Sequence, residues 1–300
     1  MPFRLTPDDR FFYPSAEHAR ALSHLLFGLV QHEGFVVITG EVGAGKTTLV
    51  ERLTAQLDPA HYRVATITTS LVEARELLNL IAGDFGVASS GDKASIILGL
   101  RKRWQDDQLH GRRALIVIDE AQGLPLDAIE ELRMLSNLTH GSSALVQTIM
   151  LGQPQFRRLL ASPDLDQLRQ RVLASYHLGP LRPNDVGPYI NHRLAAAGAT
   201  RSDIFDAAAI DAVYRFTGGI PRRINRLCGR LLLNAGIEHA DVITGEMVES
   251  VAAELEADLE AGSPPPMAIA PSVSAGDAET LEREGKVVVG RGAARTPSKE

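Results

Sequence analysis

Residues 40–48 read Gly40-Glu41-Val42-Gly43-Ala44-Gly45-Lys46-Thr47-Thr48. They stand between the apolar run Phe35–Thr39, which predicts a strand, and the segment Thr47–Leu57, which has a helical pattern. The pattern G-x-x-x-x-G-K-[ST] in this strand-to-helix context is typical of a phosphate-binding loop. Glycines let successive N–H groups point at phosphate oxygens, and the helix N-terminus adds a partial positive charge. The stretch therefore predicts a nucleotide phosphate site.

Two side chains of this stretch have distinct predicted roles. Lys46 supplies a mobile charge to the β- and γ-phosphates, and the Thr47 hydroxyl can ligate Mg²⁺. Lys46 is the only lysine among the first 92 residues of a chain with 31 lysines and arginines. A compact ammonium suits a narrow phosphate cradle better than a guanidinium does. The alternative is a glycine turn between strand and helix with an exposed lysine.

A second predicted strand ends in two acids. The apolar run Ala114–Ile118 is followed directly by Asp119 and Glu120. We expect Asp119 to hold Mg²⁺, directly or through water, and Glu120 to polarise the attacking water as general base. The alternative for both residues is a pair of solvated charges that open a loop.

A glutamine follows the next strand. The run Leu145–Leu151 is followed by Gly152, Gln153 and Pro154. If this strand lies between the two motif strands, Gln153 lies near the γ-phosphate, where it can orient water or sense phosphate loss. The alternative is a polar residue in an ordinary strand-to-helix turn.

Two arginine pairs are candidates for contacts with the nucleotide. Arg169 and Arg171 end a helical segment before the fifth strand, and either can act as an arginine finger on a neighbouring subunit's nucleotide. The alternative for each is a surface salt bridge. Arg222 and Arg223 lie at a helix start, where acids are normally preferred, so they indicate an anionic partner. A γ-phosphate or a nucleic acid fits that requirement.

The hydrophobic periodicity of the predicted elements divides the chain into a part with strands and helices and a part with helices only. Five apolar runs alternate with helical segments, which predicts an α/β fold with a parallel, doubly wound sheet. These runs are Phe35–Thr39, Val64–Thr68, Leu115–Ile118, Leu145–Leu151 and Ser175–Leu178. After residue 182 only helical patterns remain, and they cover Asn184–Ala197, Asp206–Phe216, Pro221–Ala235 and Thr244–Leu259.

The boundaries follow from these patterns. We predict a nucleotide-binding domain at 1–181, a helical domain at 182–262 and a disordered tail at 263–300 that is rich in Pro, Ala and Gly. Asp206 and Thr244 are predicted N-caps, and helix ends are predicted at three glycines. These are Gly198, Gly218 and Gly236.

Composition excludes several classes of protein. A net charge of −6 argues against a protein that coats nucleic acid with uniform positive charge. The single cysteine, Cys228, excludes an internal disulfide and fits a reducing compartment. No apolar run approaches the roughly 18–20 residues of a membrane-spanning helix, and the first residues lack a secretory pattern. We expect a cytoplasmic protein that reaches the inner membrane only through partners.

Together these motifs resemble the AAA+ ATPases with their helical lid over about residues 20–255. Several strings also resemble the ExeA/GspA-type secretion ATPases, most closely the subgroup found with XrtA/PEP-CTERM and exopolysaccharide gene clusters. The strings are Pro2–Asp8, Tyr13–His18, Asp119–Gln122, Glu131–Asn137, Gly152–Pro154 and Leu168–Arg171.

The resemblance implies the fold and a set of roles. It implies a P-loop NTPase (AAA+) five-stranded sheet with a small C-terminal all-α lid, ATP as ligand, and Mg²⁺ at Thr47 and Asp119. It makes Glu120 the catalytic base, Gln153 the sensor on the fourth strand, Arg171 the finger and Arg222 the lid sensor.

The resemblance also implies partners. We expect an ATP-dependent homo-oligomer, a ring, that acts with inner-membrane secretion or polysaccharide-export components. The full ExeA type continues into a membrane span and a peptidoglycan-binding domain. We identify neither here, so we expect no direct membrane span and carry over no cell-wall binding.

Three functions fit these residues. The first is an ATP-hydrolysing motor or switch for envelope secretion or exopolysaccharide export. The second is a DNA-associated AAA+ regulator of the transposition-ATPase type, which the basic face with Arg222, Arg226 and Arg230 favours. The acidic helix Glu249–Glu260 opposes it, and we expect no nucleic-acid partner. The third is a nucleotide-dependent scaffold with negligible turnover.

Overall fold

A parallel sheet forms the centre of the molecule. The computed structural model describes residues 1–4, 6, 8–68 and 72–261, with side chains up to residue 257. Its described strands are β1 Phe35–Gly40, β2 Tyr62–Thr68, β3 Arg113–Asp119, β4 Thr139–His140, β5 Ser143–Ala144, β6 Val146–Gly152 and β7 Val172–Leu178. Five of them form one sheet in which every pair is parallel, as predicted. The order of the strands is β2-β3-β6-β1-β7, so β6 lies between the two motif strands β1 and β3. The short antiparallel hairpin of β4 and β5 was not predicted, because two-residue strands leave no apolar run.

Helices cover the sheet and continue beyond it. They are α1 Ala16–Gln31, α2 Lys46–Gln56, α3 Ala74–Asp84, α4 Lys93–Leu109, α5 Leu126–Ser136, α6 Pro154–Leu160, α7 Asp166–Arg169, α8 Pro183–Ala196, α9 Ala207–Thr217, α10 Pro221–Glu238 and α11 Gly245–Ala261. Helices α1 and α2 pack on one face of the sheet, and α3 to α7 pack on the other. No described helix is long and apolar enough to cross a membrane.

The two covered faces explain why the central strands β1, β3 and β6 are buried almost throughout, whereas the edge strands β2 and β7 are only partly buried. In β1, Phe35 and Val37 join the core on the side of α3 to α7, whereas Val36 and Ile38 join the core on the side of α1 and α2. All four are fully buried. Successive strand residues point to opposite faces, so both sets must be apolar when helices cover both faces.

Parallel pairing brings the polar strand ends to one edge. In register, Thr39 lies beside Gly152 and Thr68 lies beside Asp119. The residues that follow β1, β3 and β6 therefore converge at the carboxyl edge of the sheet, where open α/β folds bind ligands.

The helical segment has an apolar core of its own within the compact unit Met1–Leu255. It gathers side chains of α8 to α11 and includes Cys228, which is fully buried, and Phe3 from the start of the chain. Burial raises the pKa of the Cys228 thiol. The predicted disordered tail lies outside the described residues.

The ends of α8, α9 and α10 can be compared with the predicted caps and helix ends. The Asp206 carboxylate accepts from the Ala209 N–H at 2.6 Å, and Gly218 is left-handed after α9, as predicted. Gly198, with φ 95°, follows the end of α8. The predicted stop at Gly236 is wrong, because α10 continues to Glu238 and ends at the left-handed His239.

Several contacts stabilise the connection between the α/β segment and the helical segment that follows it. Gly219, with φ 74°, approaches Leu181 so closely that a Cβ would lie 2.1 Å from the Leu181 carbonyl oxygen. Glu17 of α1 accepts from the Tyr176 hydroxyl at 2.8 Å and from Arg182 Nη2 at 2.9 Å. These contacts join α1, the edge strand β7 and the start of α8.

Candidate functional site

The glycine loop links β1 to α2 in a conformation that only glycine adopts easily. Gly43 and Gly45 have φ of 82° and 100°. A Cβ at Gly43 would lie 2.2 Å from Arg222 Cβ, and one at Gly45 would lie 2.8 Å from His18 Nε2. The backbone between them is thus the floor of a cradle, and its N–H groups fit phosphate oxygens.

Lys46, the first residue of α2, lies inside this cradle. Its side chain is buried, and Nζ donates to the carbonyl oxygens of Gly40 at 2.9 Å and Glu41 at 3.1 Å. Burial lowers the pKa of Lys46, while the charges of Glu120 and the neighbouring acids oppose that shift. The ammonium is therefore held where it can contact phosphate oxygens.

Thr47 and Asp119 meet beside the cradle. Thr47 Oγ1 donates to Asp119 Oδ2 at 2.6 Å, and the Glu120 N–H donates to Asp119 Oδ1 at 2.8 Å. One hydroxyl and one carboxylate suit Mg²⁺, which often binds through few protein oxygens and completes its shell with water and phosphate. Among the described residues, no group of three or more His, Cys, Asp or Glu offers a cage for a metal without phosphate.

Glu120 leaves β3 in a left-handed conformation, with φ 55°. Its Oε2 accepts from Gln153 Nε2 at 2.9 Å and from Gln122 Nε2. Burial alone would raise the pKa of Glu120, but the hydrogen bonds from Gln153 and Gln122 and the charge of Lys46 outweigh it, so the pKa is lowered. Glu120 is therefore an ionised carboxylate near the cradle, as a general base requires.

Gln122 is a site residue for which the sequence predicts no role of its own. It lies in the short turn Ala121–Gly123, and its Oε1 accepts from the Gln153 N–H at 2.9 Å. Its amide thus bridges Glu120 and Gln153. The sequence signals were its position two residues after Glu120 and its place in the family string Asp119–Gln122, and neither reveals a contact with Gln153 after β6.

The start of α10 reaches the glycine loop. The Arg222 N–H donates to the Gly43 carbonyl oxygen at 3.2 Å. Arg222 and the glycine loop line a cavity of about 340 Å³ together with Glu120 and the aromatic residues Phe12, Tyr13 and His18. The side chain of Arg222 is exposed to this cavity, whereas Arg226 and Arg230 are exposed further along α10.

The N-terminal segment is held at this cavity by Arg193 of α8. Arg193 is buried, and it donates to the carbonyl oxygens of Pro2 at 2.8 Å and Arg4 at 3.2 Å. Its guanidinium also lies 5.1 Å from the ring centre of Phe11 and donates to the Tyr189 hydroxyl at 3.3 Å. These long-range contacts have no local sequence pattern.

Aromatic residues line the same side of the cavity. Phe12 contacts the imidazole of His18 edge to face at 5.3 Å, and Tyr13 contacts Tyr189 in the same way at 5.9 Å. Ser15 Oγ lies 2.7 Å from His18 Nδ1, and burial lowers the pKa of His18. An aromatic wall of this kind suits a nucleotide base.

Arg171 lies at the opposite edge of the sheet. Its carbonyl accepts from the Phe35 N–H at 2.9 Å, and its Nη1 donates to the Ser136 carbonyl oxygen at 3.5 Å. Strand β1 runs from Phe35 to Gly40, the first residue of the glycine loop, a rise of about 17 Å at about 3.3 Å per residue. The structure therefore does not bring Arg171 to the glycine loop of its own chain. The exposed Arg169 pairs with Asp166 at 2.5 Å.

Comparisons with known proteins agree with this geometry. The family described as AAA domain matches residues 30–160. General secretion pathway protein A of Aeromonas hydrophila is 39% identical over 236 residues, which are 78% of this chain. The chain spans 43% of the length of that relative.

Solved structures share the fold at low identity. The ORC2 protein of Aeropyrum pernix, solved with ADPNP and ADP, matches with a TM-score of 0.62 at 16% identity over 87% of this chain and 74% of its own. Cdc6p of Pyrobaculum aerophilum matches with a TM-score of 0.65 at 16% identity over 86% and 75%. The RuvB branch migration motor of Thermotoga maritima matches with a TM-score of 0.55 at 18% identity over 85% and 74%. The chain is thus an AAA-domain P-loop NTPase that is similar to General secretion pathway protein A.

Proposed function

We propose that this protein is a Mg²⁺-dependent ATPase that acts as a motor or switch in envelope secretion or exopolysaccharide export. The observation that carries the proposal is the Glu120 carboxylate, which accepts hydrogen bonds from Gln122 and Gln153 and lines one cavity with the glycine loop. A protein that only binds a nucleotide does not require a positioned base, so this arrangement favours turnover over a scaffold.

The chain's own residues supply the proposed steps. The backbone of the glycine loop, residues 40–48, and the Lys46 ammonium hold the phosphates of ATP. Thr47 and Asp119 hold Mg²⁺, which supplies charge neutralisation at the phosphates when it is bound. Glu120 accepts a proton from water, Gln153 orients that water, and the Arg222 guanidinium contacts the γ-phosphate from the helical lid.

The proposed pathway rests on the similarity to General secretion pathway protein A. Because the chain spans 43% of that relative, its partners are part of the proposal. We infer an ATP-dependent homo-oligomeric ring, with Arg171 as the finger, that works in the cytoplasm and contacts inner-membrane secretion or polysaccharide-export components. The finer assignment is to the XrtA/PEP-CTERM-associated subgroup, which rests on the sequence resemblance.

The substitution Glu120→Gln tests the catalytic part of the proposal. It keeps the size of the side chain and removes the base. We expect phosphate release to fall at least about 100-fold, as for loss of a general base, while ATP binding measured by calorimetry stays intact. The matched control is Glu254→Gln, an exposed glutamate on α11, which should leave turnover unchanged. Turnover of Glu120→Gln at the wild-type rate would contradict the base assignment.

A second candidate function is that of a DNA-associated regulator. The exposed arginines Arg223, Arg226 and Arg230 of α10 favour it, since a row of arginines can contact successive phosphates. An ORC1 protein of Aeropyrum pernix with this fold was solved in complex with DNA. A labelled duplex at physiological salt tests this function: a shift that Arg226→Gln with Arg230→Gln abolishes would support it, and no shift would exclude it.

A further inference from the structure

A second cavity lies at the amino edge of the sheet, away from the glycine loop. It has a volume of about 420 Å³ and is formed where α1 and α4 end and where β2, β3 and β6 begin. Tyr62 and Arg113 line it and pair in register as the first residues of β2 and β3. Since β3 carries Asp119 at its other end, the two cavities are separated by the strand length, about 20 Å.

The lining of this cavity carries positive charge. Arg112 and Arg113 face it, and Glu33 is the one acid among its lining residues. Ser142 and Ser143, from the hairpin of β4 and β5, add hydroxyl groups. Two guanidinium groups beside hydroxyl donors form a lining that suits a multivalent anion.

The buried acid Asp107 does not neutralise the positive charge of the cavity lining, because its carboxylate also pairs with arginines outside that lining. Asp107 is buried, and its Oδ2 lies 3.1 Å from Arg63 Nε and 3.3 Å from Arg103 Nε. Arg112 Nη1 lies 3.8 Å from the other oxygen, beyond hydrogen-bond distance. One carboxylate thus faces three guanidinium groups, which leaves a local excess of positive charge.

Two polar atoms at the cavity lack partners. Arg112 Nε and Gln108 Oε1 are buried and make no hydrogen bond within the described part of the chain. Buried polar atoms of native proteins are nearly always satisfied, so such an orphan requires an explanation. Neither atom has accessible surface, so an anion and a ligand hydroxyl can satisfy them only if the side chains of Arg112 and Gln108 turn toward the cavity on binding.

The backbone around the cavity is held in place by hydrogen bonds. Gln147 is buried, and its Nε2 donates to the carbonyl oxygens of Gly28 at 2.7 Å and Glu33 at 2.9 Å, which fixes the end of α1. The Arg112 N–H donates to the Asp107 carbonyl oxygen at 2.8 Å after a left-handed Gly111. The cavity is therefore preformed, which lowers the entropic cost of binding.

We propose that this cavity binds the phosphate group of a second ligand, distinct from the nucleotide at the glycine loop. Arg112 and Arg113 form charge-assisted hydrogen bonds with the phosphate oxygens, and Gln108 and the serine hydroxyls contact the remainder of the ligand. A free phosphorylated small molecule and a phospholipid headgroup share this chemistry. The proposal is independent of ATP hydrolysis.

Calorimetric titration with pyrophosphate tests the site. It is done on the full chain with Lys46→Ala, which weakens anion binding at the glycine loop. We expect saturable binding that Arg112→Gln with Arg113→Gln weakens at least about tenfold, since two charge-assisted contacts are lost. The matched control is Arg157→Gln with Arg158→Gln, an adjacent exposed pair on α6, which should keep the wild-type affinity.

Two further binding experiments show which kind of molecule carries the phosphate group. Vesicles of phosphatidylglycerol, compared with phosphatidylcholine, test a lipid headgroup, and a short DNA duplex tests a nucleic acid. Binding of pyrophosphate or of phosphatidylglycerol that depends on Arg112 and Arg113 supports the proposal. Binding of the duplex alone, or equal affinity in both double variants, overturns it. If the double variant fails to fold, Arg113→Gln alone serves, because Arg113 is exposed.

Discussion

Glu120 combines an unfavourable backbone conformation with two amide hydrogen bonds. A left-handed non-glycine residue costs about 1–3 kcal/mol and persists only where its surroundings enforce it. Here the Glu120 N–H donates to Asp119 and the carboxylate accepts from Gln122 and Gln153. The conformation turns the carboxylate from the end of β3 toward the end of β6. The three side chains therefore act as one unit.

Removal of Gln122 should change the acidity of this unit. Gln122→Ala deletes one of the two amides that lower the pKa of Glu120, so that pKa should rise. Glu120 is then protonated at higher pH, and the acid limb of the kcat profile should move to higher pH. We also expect kcat at neutral pH to fall about tenfold, the value of one hydrogen bond to a charged group.

The measurement is phosphate release as a function of pH, with ATP affinity determined in parallel. Gln155→Ala, at an exposed position of α6, is the control and should retain the wild-type profile. A general loss of stability would lower the rate without moving the acid limb. An acid limb at the same pH in Gln122→Ala would therefore contradict the positioning role.

Two glycines of the helical segment have opposite structural roles. Gly236 lies inside α10 with open space where a Cβ would lie, whereas Gly219 combines φ 74° with a close approach to Leu181. At Gly236 the helix continues because one glycine costs only about 1 kcal/mol relative to alanine, and the left-handed His239 provides the end. At Gly219 the fold itself requires the missing Cβ.

Alanine substitutions should separate these roles. Gly236→Ala should raise the free energy of unfolding by about 0.5–1 kcal/mol, because alanine favours the helix. Gly219→Ala should lower it by more than about 1 kcal/mol, since it adds strain and a clash with the Leu181 carbonyl. Urea denaturation followed by circular dichroism checks both. Destabilisation by Gly236→Ala would show that the helix ends there after all.

In the whole molecule, the residues proposed to act on the chain's own nucleotide lie at one edge of the sheet, and the proposed arginine finger lies at the other. Lys46, Asp119, Glu120, Gln153 and Arg222 meet at the carboxyl edge of the sheet or line its cavity. Arg171 lies at the amino edge, beside Phe35. A residue on that edge can serve only the nucleotide of a second copy, so the proposed finger requires assembly.

Mixing of two inactive variants tests this requirement. Lys46→Ala keeps Arg171 but has no functional cradle, and Arg171→Ala keeps the cradle but has no finger. Each should lose at least about 100-fold in turnover alone, in line with loss of a trans-acting arginine or of the loop lysine, and a mixture should regain part of it. The control Arg169→Ala, which removes an exposed ion pair, should stay active. No recovery in the mixture, or full activity of a monomer, would contradict the finger role.

The strands and the glycine loop follow from local sequence. Central parallel strands are near-continuous apolar runs, so β1, β3 and β6 could be predicted without the structure. The edge strands β2 and β7 are only partly buried, and they could be predicted because their runs alternate with helical segments. The glycine loop could be predicted because its function depends on residue types at fixed spacing. Asp119 and Glu120 could be proposed because parallel strands present their ends at one edge.

Long-range contacts could not be predicted from the sequence, because no fixed spacing in the chain marks the residues that make them. Two examples join residues that are far apart in the chain. The Gln153 N–H donates to Gln122, and the Arg193 guanidinium donates to the carbonyl oxygens of Pro2 and Arg4. The end of α10 was misplaced because helix propensity is weak compared with packing. The second cavity combines the ends of two helices with the starts of three strands, so no segment alone indicates it.

The sequence by itself therefore determined the fold class and the residues of the glycine loop, since short-range geometry dictates both. Only the tertiary structure decided which amides hold Glu120, at which edge Arg171 lies, and that Arg112 and Arg113 meet at a second cavity. These features depend on chain packing, which places distant residues within a few ångströms of one another.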